Sequence, residues 1–128
     1  MRRLLLSATA LLIAAPAAAQ DWRSGPEYDV LLTTYDIAPE VIRLQADRPV
    51  RLRFVNNSNQ ALAFSAGGFF RAAKARSRDG DTLKGGRVSV PPLSTRTVVL
   101  LPKKGSYKVR GGTLWHRVLG MRGRIVVE

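Results

Sequence analysis

The sequence predicts an all-β fold, an antiparallel or mixed β-sandwich of seven or eight strands with one short helix. Short runs of β-forming residues recur along residues 29–128, and turn-forming proline, glycine, asparagine and aspartate separate them. The run from Val50 to Phe54 alternates strictly between apolar side chains and arginines, which is the pattern of a half-buried strand. The number and spacing of these runs are typical of one sandwich domain of about 100 residues.

The individual elements follow from the same patterns. A helix is predicted only at residues 69–76, where two phenylalanines would pack inward and the basic side chains would face solvent. Residues 77–86 are expected to form an exposed loop, and their Asp-Gly-Asp lacks the further ligands of a calcium loop. Strands are predicted at residues 30–35, 41–44, 50–54, 61–65, 87–90, 95–101, 106–110 and 122–127. One core is expected to contain Val50, Leu52, Phe54, Val98, Leu100, Tyr107, Ile125 and Val127.

The first nineteen residues have the composition of a secretory signal peptide. A basic start precedes an apolar run at residues 4–15, and Ala17-Ala18-Ala19 supplies the small residues required for cleavage. Because a run of about a dozen residues is too short to span a bilayer, we predict cleavage after Ala19 rather than a membrane anchor. Residues 20–28 would then be a flexible leader and residues 29–128 one domain. The mature chain is expected in the periplasm or outside the cell, without a transmembrane segment.

The chain contains no cysteine and a single histidine, His116. Disulfides, thiolate metal sites and thiol nucleophiles are therefore excluded, and one chain cannot build a site with two histidines. The sequence also lacks the Gly-x-Ser-x-Gly elbow of serine hydrolases and the strand–helix context of a phosphate-binding loop. These observations favour a protein that is not an enzyme.

The net charge is strongly positive, at +12 from 21 basic and 9 acidic residues. Removal of Arg2 and Arg3 with the signal peptide would leave 19 basic and 9 acidic residues, or +10. Long-range attraction then favours an acidic periplasmic protein or an envelope polyanion as the partner, and export argues against nucleic acid. The alternative is a general preference for arginine, since the chain has 16 arginines and 5 lysines.

The C-terminal segment carries the most specific pattern. Gly105-Ser106-Tyr107 precedes a strand, His116 and Met121 are five residues apart, and Gly120-Met121-Arg122-Gly123 opens the last strand. This resembles the end of cupredoxins, the blue-copper fold, which runs Gly-x-Tyr and then Cys-x4-His-x4-Met. Residues 37–42, 49–56 and 91–98 are similar to upstream pieces of the same family. The resemblance implies a cupredoxin-like sandwich of the small, single-domain bacterial form that accompanies iron- and copper-handling proteins.

Two departures from the family pattern decide the expected chemistry. The cysteine position, five residues before His116, is Gly111, and the position of the first histidine is Leu62. A blue-copper centre needs a thiolate and two imidazoles, so this chain is expected to lack that centre and to be colourless. His116 and Met121 remain as a vestigial pair. One interpretation gives both residues ordinary structural roles. The alternative is that they bind copper weakly, either in a copper carrier or in a protein related to electron transfer.

A partner-binding surface is predicted around the same loop. Leu114, Trp115, Val118 and Leu119 would form an apolar centre, as in ordinary protein contact surfaces. The predicted partner-binding residues are Trp115, Arg117, Arg122 and Arg124. Alternatively, the apolar residues fold inward over the former metal position. The predicted function is that of an exported, non-enzymatic interaction module in a periplasmic metal-handling context, with no tightly bound cofactor.

Overall fold

The computed structural model describes residues 20–34, 36–112 and 121–128. Within these residues it contains ten strands, two short α-helices and one 3₁₀ turn, Ser77–Asp79. The helices are α1 (Gly67–Ala72) and α2 (Gly80–Lys84). The strands are β1 (Glu27–Leu32), β2 (Ile37–Ala38), β3 (Val41–Leu44), β4 (Val50–Asn56), β5 (Leu62–Ser65), β6 (Lys74–Ala75), β7 (Arg87–Val90), β8 (Thr95–Leu101), β9 (Gly105–Gly112) and β10 (Met121–Val127).

The strands form two five-stranded sheets that pack face to face as a β-sandwich. Sheet one has the order β2-β1-β4-β8-β6, and sheet two has the order β3-β10-β9-β5-β7. Each sheet contains one parallel pair, β1 with β4 in sheet one and β3 with β10 in sheet two. The remaining pairs are antiparallel. The predicted sandwich is confirmed, and its sheets are mixed.

The core lies between the sheets and follows the alternation of the strands. In β4, Val50, Leu52 and Phe54 are at most 3% exposed, while Arg53 between them faces solvent. Burying one such apolar side chain contributes about 1.5–3 kcal/mol. Seven of the eight predicted core residues are buried in one cluster, and the eighth, Tyr107, is partly buried and packs against it.

Two predictions about the region after β5 need correction. The helix begins at Gly67 and ends at Ala72, so it is shifted toward the N-terminus, and β6 follows it directly. Its two phenylalanines, Phe69 and Phe70, are buried as expected. The second correction is that residues 77–86 are not an exposed loop, because they contain the 3₁₀ turn and α2, in which Leu83 joins the core.

Asp79 explains why this segment lies against sheet one. Its carboxylate is largely buried and accepts hydrogen bonds from the Val99 backbone N–H at 3.0 Å and from Arg76 Nε at 3.1 Å. β6 pairs with β8 only through Lys74 and Ala75, so the Asp79 side chain provides the acceptor for Val99 beyond the end of that strand. The aspartate therefore completes the hydrogen bonding of a sheet edge.

Smaller differences concern the strand ends. β1 begins at Glu27, earlier than the predicted start at Val30, and the two-residue strands β2 and β6 were not predicted. Pairs this short carry too few residues for a period-two pattern. None of the helices in the described part of the chain is both long enough and apolar enough to span a membrane.

Candidate functional site

Three of the positions singled out by the sequence lie at one end of sheet two. The register pairs Gly111 of β9 with Met121 of β10 on one side and with Phe64 of β5 on the other. Leu62 lies two residues before Phe64, and its neighbour Ala63 pairs with Gly112. The structure therefore brings Leu62, Gly111 and Met121 together across adjacent strands, the first two being positions where the family pattern has a histidine and a cysteine.

The residues at these positions do not fit a blue-copper centre. Leu62 is 1% exposed and belongs to the apolar core, and Gly111 has no side chain to donate. Nearby, the rings of Phe54 and Phe64 pack with their centroids 4.6 Å apart. No group of three or more histidine, cysteine, aspartate or glutamate side chains converges among the described residues. A core leucine and a glycine therefore stand at two of the positions where the family pattern has donors.

A buried asparagine organises the loops at this end. Asn56, which is 1% exposed, directs its Nδ2 toward the carbonyl oxygens of Gln60, Val90 and Pro91 at 2.8–3.0 Å. Its Oδ1 accepts hydrogen bonds from the backbone N–H and the hydroxyl of Ser58, both at 2.8 Å. The side chain thus ties the β4–β5 loop to the end of β7. The sequence pattern did not indicate this role for Asn56.

Part of the predicted site cannot be placed. His116, Trp115 and Arg117 lie outside the described residues, and so does the apolar centre proposed for residues 114–119. An exposed leucine is present at the same end of the sandwich. Leu93 is 72% exposed and has a positive φ of 53°, and its N–H donates to the carbonyl of Ser58.

The outer face of sheet two is strongly basic in the part of the chain that the structure describes. Six basic residues occupy outward positions of its strands, and each is exposed. In the part of the chain that the structure describes, none of the outward positions of these five strands carries an acidic residue. We call this surface the cationic face. It comprises Arg43, Arg87, Lys108, Arg110, Arg122 and Arg124.

Four of these residues lie directly opposite one another on the β9–β10 hairpin. Arg122 pairs in register with Arg110, and Arg124 pairs with Lys108. We call these four residues the cation quartet. They line an open groove of about 330 Å³ together with Val109 and Gly123. Among the described residues, no salt bridge involves any member of the quartet, whereas Arg43 of the cationic face contacts Glu128 at 3.6 Å.

Two other basic residues, Arg53 and Arg76, lie outside sheet two and are paired with acidic side chains. Arg53 of sheet one makes two hydrogen bonds to Asp29, at 2.8 and 3.0 Å, and lies 3.6 Å from Glu27. The hydrogen bond from Arg53 lowers the pKa of the Asp29 carboxyl, and the same bond raises the pKa of the guanidinium. Arg76 is held by the buried carboxylate of Asp79. Arg53 and Arg76 are therefore not part of the cationic face.

Only half of the quartet was predicted from the sequence. Arg122 and Arg124 were predicted to bind a partner, and Lys108 and Arg110 were missed. A signal for all four residues was present in the sequence. In each of the two strands one residue separates two cations, as Lys-Val-Arg in the first and Arg-Gly-Arg in the second. That spacing places both pairs on outward faces, but the register of the hairpin is set by the tertiary structure.

The architecture is that of the cupredoxin-like fold, two mixed sheets packed as a sandwich with short helices. No protein-family model matches the sequence, and no curated protein matches it in sequence either. The similarity is one of structure, to cupredoxin domains at low sequence identity.

Three solved structures illustrate this similarity. Auracyanin B is 16% identical with a TM-score of 0.56, over 80% of this chain and 88% of that one. A multi-copper oxidase from Pediococcus acidilactici is 10% identical with a TM-score of 0.57, over 79% of this chain. A Cu-containing nitrite reductase (NirK) from Thermus scotoductus SA-01 is 15% identical with a TM-score of 0.58, over 82% of this chain. The matched region covers 25% of the oxidase and 28% of the reductase.

Proposed function

We propose that this protein is an exported, non-enzymatic interaction module that binds a negatively charged partner in a metal-handling context. The partner is an acidic periplasmic protein or an envelope polyanion. The observation that carries the proposal is the cation quartet, in which exposed basic residues lie opposite one another without an acidic partner among the described residues. Surfaces with one sign of charge attract partners of the opposite sign over long distances.

The residues found where the family pattern has copper ligands support a role in binding rather than in electron transfer by a blue-copper centre. Such a centre depends on a thiolate, and the chain has no cysteine. Leu62 is an integral part of the core, so its side chain serves packing. The non-enzymatic part of the proposal rests on the sequence, which offers one histidine and no recognised catalytic motif.

The proposal is tested by measuring binding to two polyanion probes, poly-glutamate and a sulfated polysaccharide, at increasing salt. Exchanging Arg122 and Arg124 for glutamate should weaken binding about tenfold or more, because like charges brought together cost several kcal/mol. Raising the ionic strength to about 0.15 M should weaken binding by the wild type, since interactions beyond roughly 8 Å are then screened. Binding that ignores both changes would rule out the cationic surface.

The structure indicates where a control variant can be placed. Arg76 is unsuitable, because it bonds a buried carboxylate and reversing its charge would disturb the fold. Arg78 and Lys84 are exposed and lie outside both sheets. Exchanging both for glutamate changes the net charge by the same amount as the quartet variant. Equal losses in the two variants would show that only net charge matters.

The alternative function is residual copper binding through His116 and Met121. The register that places Met121 beside Gly111 is the observation in its favour. An imidazole–thioether pair would suit Cu(I) better than Cu(II). Titrating both ions into the wild type and into His116→Ala separates the two functions. A Cu(I) affinity that falls in the variant would support the copper-binding function, and equal affinities would exclude His116 as a copper ligand.

A further inference from the structure

The cation quartet opposes folding. Like charges directly opposite each other in neighbouring strands destabilise a sheet, and the β9–β10 hairpin contains two such pairs in succession. Sheet one shows the alternative arrangement, because Asp29 lies opposite Arg53 in the register of β1 and β4. A surface that breaks a local rule without an internal compensation is expected at a functional site. A ligand that supplies the missing negative charge would provide that compensation.

The arrangement of the cationic face is regular across the sheet. One row of cross-strand partners runs from Arg87 through Ser65 to Arg110 and Arg122. The next row along the hairpin contains Lys108 and Arg124. Neighbouring strands lie about 4.8 Å apart, so the cations form a two-dimensional array rather than a single pocket. An array of this kind matches a ligand whose negative charges are also spread over a surface.

The side chains between the cations favour a lipid surface over a protein. Protein contact surfaces depend on a few buried aromatic or large apolar anchors. The other outward positions of sheet two hold small residues and two valines, with no aromatic side chain among the described residues. Arginine guanidinium groups bind phosphate oxygens through paired hydrogen bonds. The described surface therefore offers phosphate recognition without the anchors of a protein interface.

We propose that the cationic face binds the anionic phospholipids of a membrane surface, with the quartet holding headgroup phosphates. This inference rests on the proposed function and names its partner. Sheet two lies against the bilayer, and sheet one, where Arg53 is already paired with Asp29, faces away from it. Binding requires no insertion of the chain, because it depends on the attraction between basic residues and the negative surface potential.

The expected size of the effect follows from the number of cations. Each basic residue near an anionic membrane strengthens binding by about fivefold. Replacing Arg122 and Arg124 by glutamine should therefore weaken binding to anionic vesicles by about 25-fold. The matched control exchanges Arg78 and Lys84 for glutamine, which removes the same net charge from outside the sheets. It should change the affinity much less, since screening limits the attraction to about 8 Å at physiological ionic strength.

The experiment is co-sedimentation of the mature protein with phosphatidylcholine vesicles that contain or lack phosphatidylglycerol. The wild type and the control variant should sediment with the anionic vesicles, and the quartet variant should remain in solution. None of the three should sediment with pure phosphatidylcholine. Equal loss in the quartet variant and the control would overturn the inference, and so would equal binding to both kinds of vesicle. Circular dichroism confirms that each variant is folded.

Two further arms separate this inference from the proposed function. If poly-glutamate binds through the quartet and anionic vesicles do not bind, the proposal of a lipid surface is overturned. The proposed function as an interaction module then still stands. Failure of every polyanion probe and of the vesicles would overturn both. Inorganic phosphate should release the vesicles no better than chloride at equal ionic strength, because the ligand is a surface. Specific release by phosphate would instead show that the ligand is free phosphate and would overturn the proposal that it is a membrane surface.

Discussion

The two sheets of the sandwich bury similar apolar faces but carry different charges on their outer faces. The outward positions of sheet one hold three cations and two acids, and the acids Glu27 and Asp29 are opposite Arg51 and Arg53 in the register of β1 and β4. The outward positions of sheet two hold six cations and no acid among the described residues. In sheet one the acids offset part of the positive charge of the outer face, whereas no acid at a described outward position does so in sheet two.

The outer faces of the two sheets can differ because successive side chains of a strand point to opposite sides of the sheet. Inward residues such as Val109 and Ile125 hold β9 and β10 in the core, so the outward residues of the same strands contribute little to folding. Evolution can therefore change those outward residues at small cost in stability. Sheet one uses the freedom to pair its charges, and the sheet-two hairpin keeps like charges opposite each other.

The largest effect is expected where sheet one depends on a buried acid. Exchanging Asp79 for alanine leaves the buried N–H of Val99 without its acceptor, and Arg76 without its partner. We expect a loss of about 2 kcal/mol in the free energy of unfolding, from the cost of an unsatisfied buried donor. Urea unfolding followed by circular dichroism measures it. The exposed neighbour Asp81 provides the control, and its exchange for alanine should change stability by less than about 0.5 kcal/mol. Similar losses in the free energy of unfolding for both variants would show that the buried hydrogen bonds of Asp79 are not the cause.

A smaller effect of opposite sign is expected in sheet two. Exchanging Arg124 for glutamate turns the like-charge pair with Lys108 into an ion pair. We expect the free energy of unfolding to rise by about 0.5 kcal/mol, since cross-strand charge pairs contribute about 0.2–1 kcal/mol. The same change should weaken binding to polyanions. Arg124→Gln removes the repulsion alone and should gain less. A variant that loses both stability and binding would mean that the quartet is structural.

The smallest effect concerns pH and the exposed pair in sheet one. Because the pKa of Asp29 is lowered in the folded protein, its stabilisation is present above the unfolded value of about 3.9 and is lost as the pH falls through the folded pKa. Asp29→Asn should therefore be slightly less stable than the wild type near neutral pH and equal to it in strong acid. Urea unfolding at the two pH values tests this. A difference that persists in acid would exclude the carboxylate as its cause.

Most of the fold could be predicted because alternation reports directly on burial. The strands at residues 41–44, 87–90 and 95–101 have the predicted bounds, and β4, β9 and β10 extend only slightly beyond theirs. The segment after α1 could not be predicted in the same way. Asp79 reads as a turn residue in the chain, and its burial depends on the edge of β8, which is distant in sequence.

The candidate site also has one part that could be predicted from the sequence and one part that depends on the tertiary structure. The absence of cysteine, the leucine at position 62 and the glycine at position 111 can be read from the residues alone, and they exclude a blue-copper centre. The quartet could not be read so directly. Lys108 and Arg110 appear as ordinary strand residues until the hairpin register places them opposite Arg124 and Arg122.

The sequence by itself determined the class of fold, the inward residues of most strands and the absence of a thiolate and of a second imidazole, because these depend on residue type and on a local period of two. The tertiary structure alone decided which charges are neutralised. Arg53 and Arg124 have the same chemistry and the same place in an alternating strand. One lies across from an aspartate and the other across from a lysine, because pairing depends on the neighbouring strand and its register.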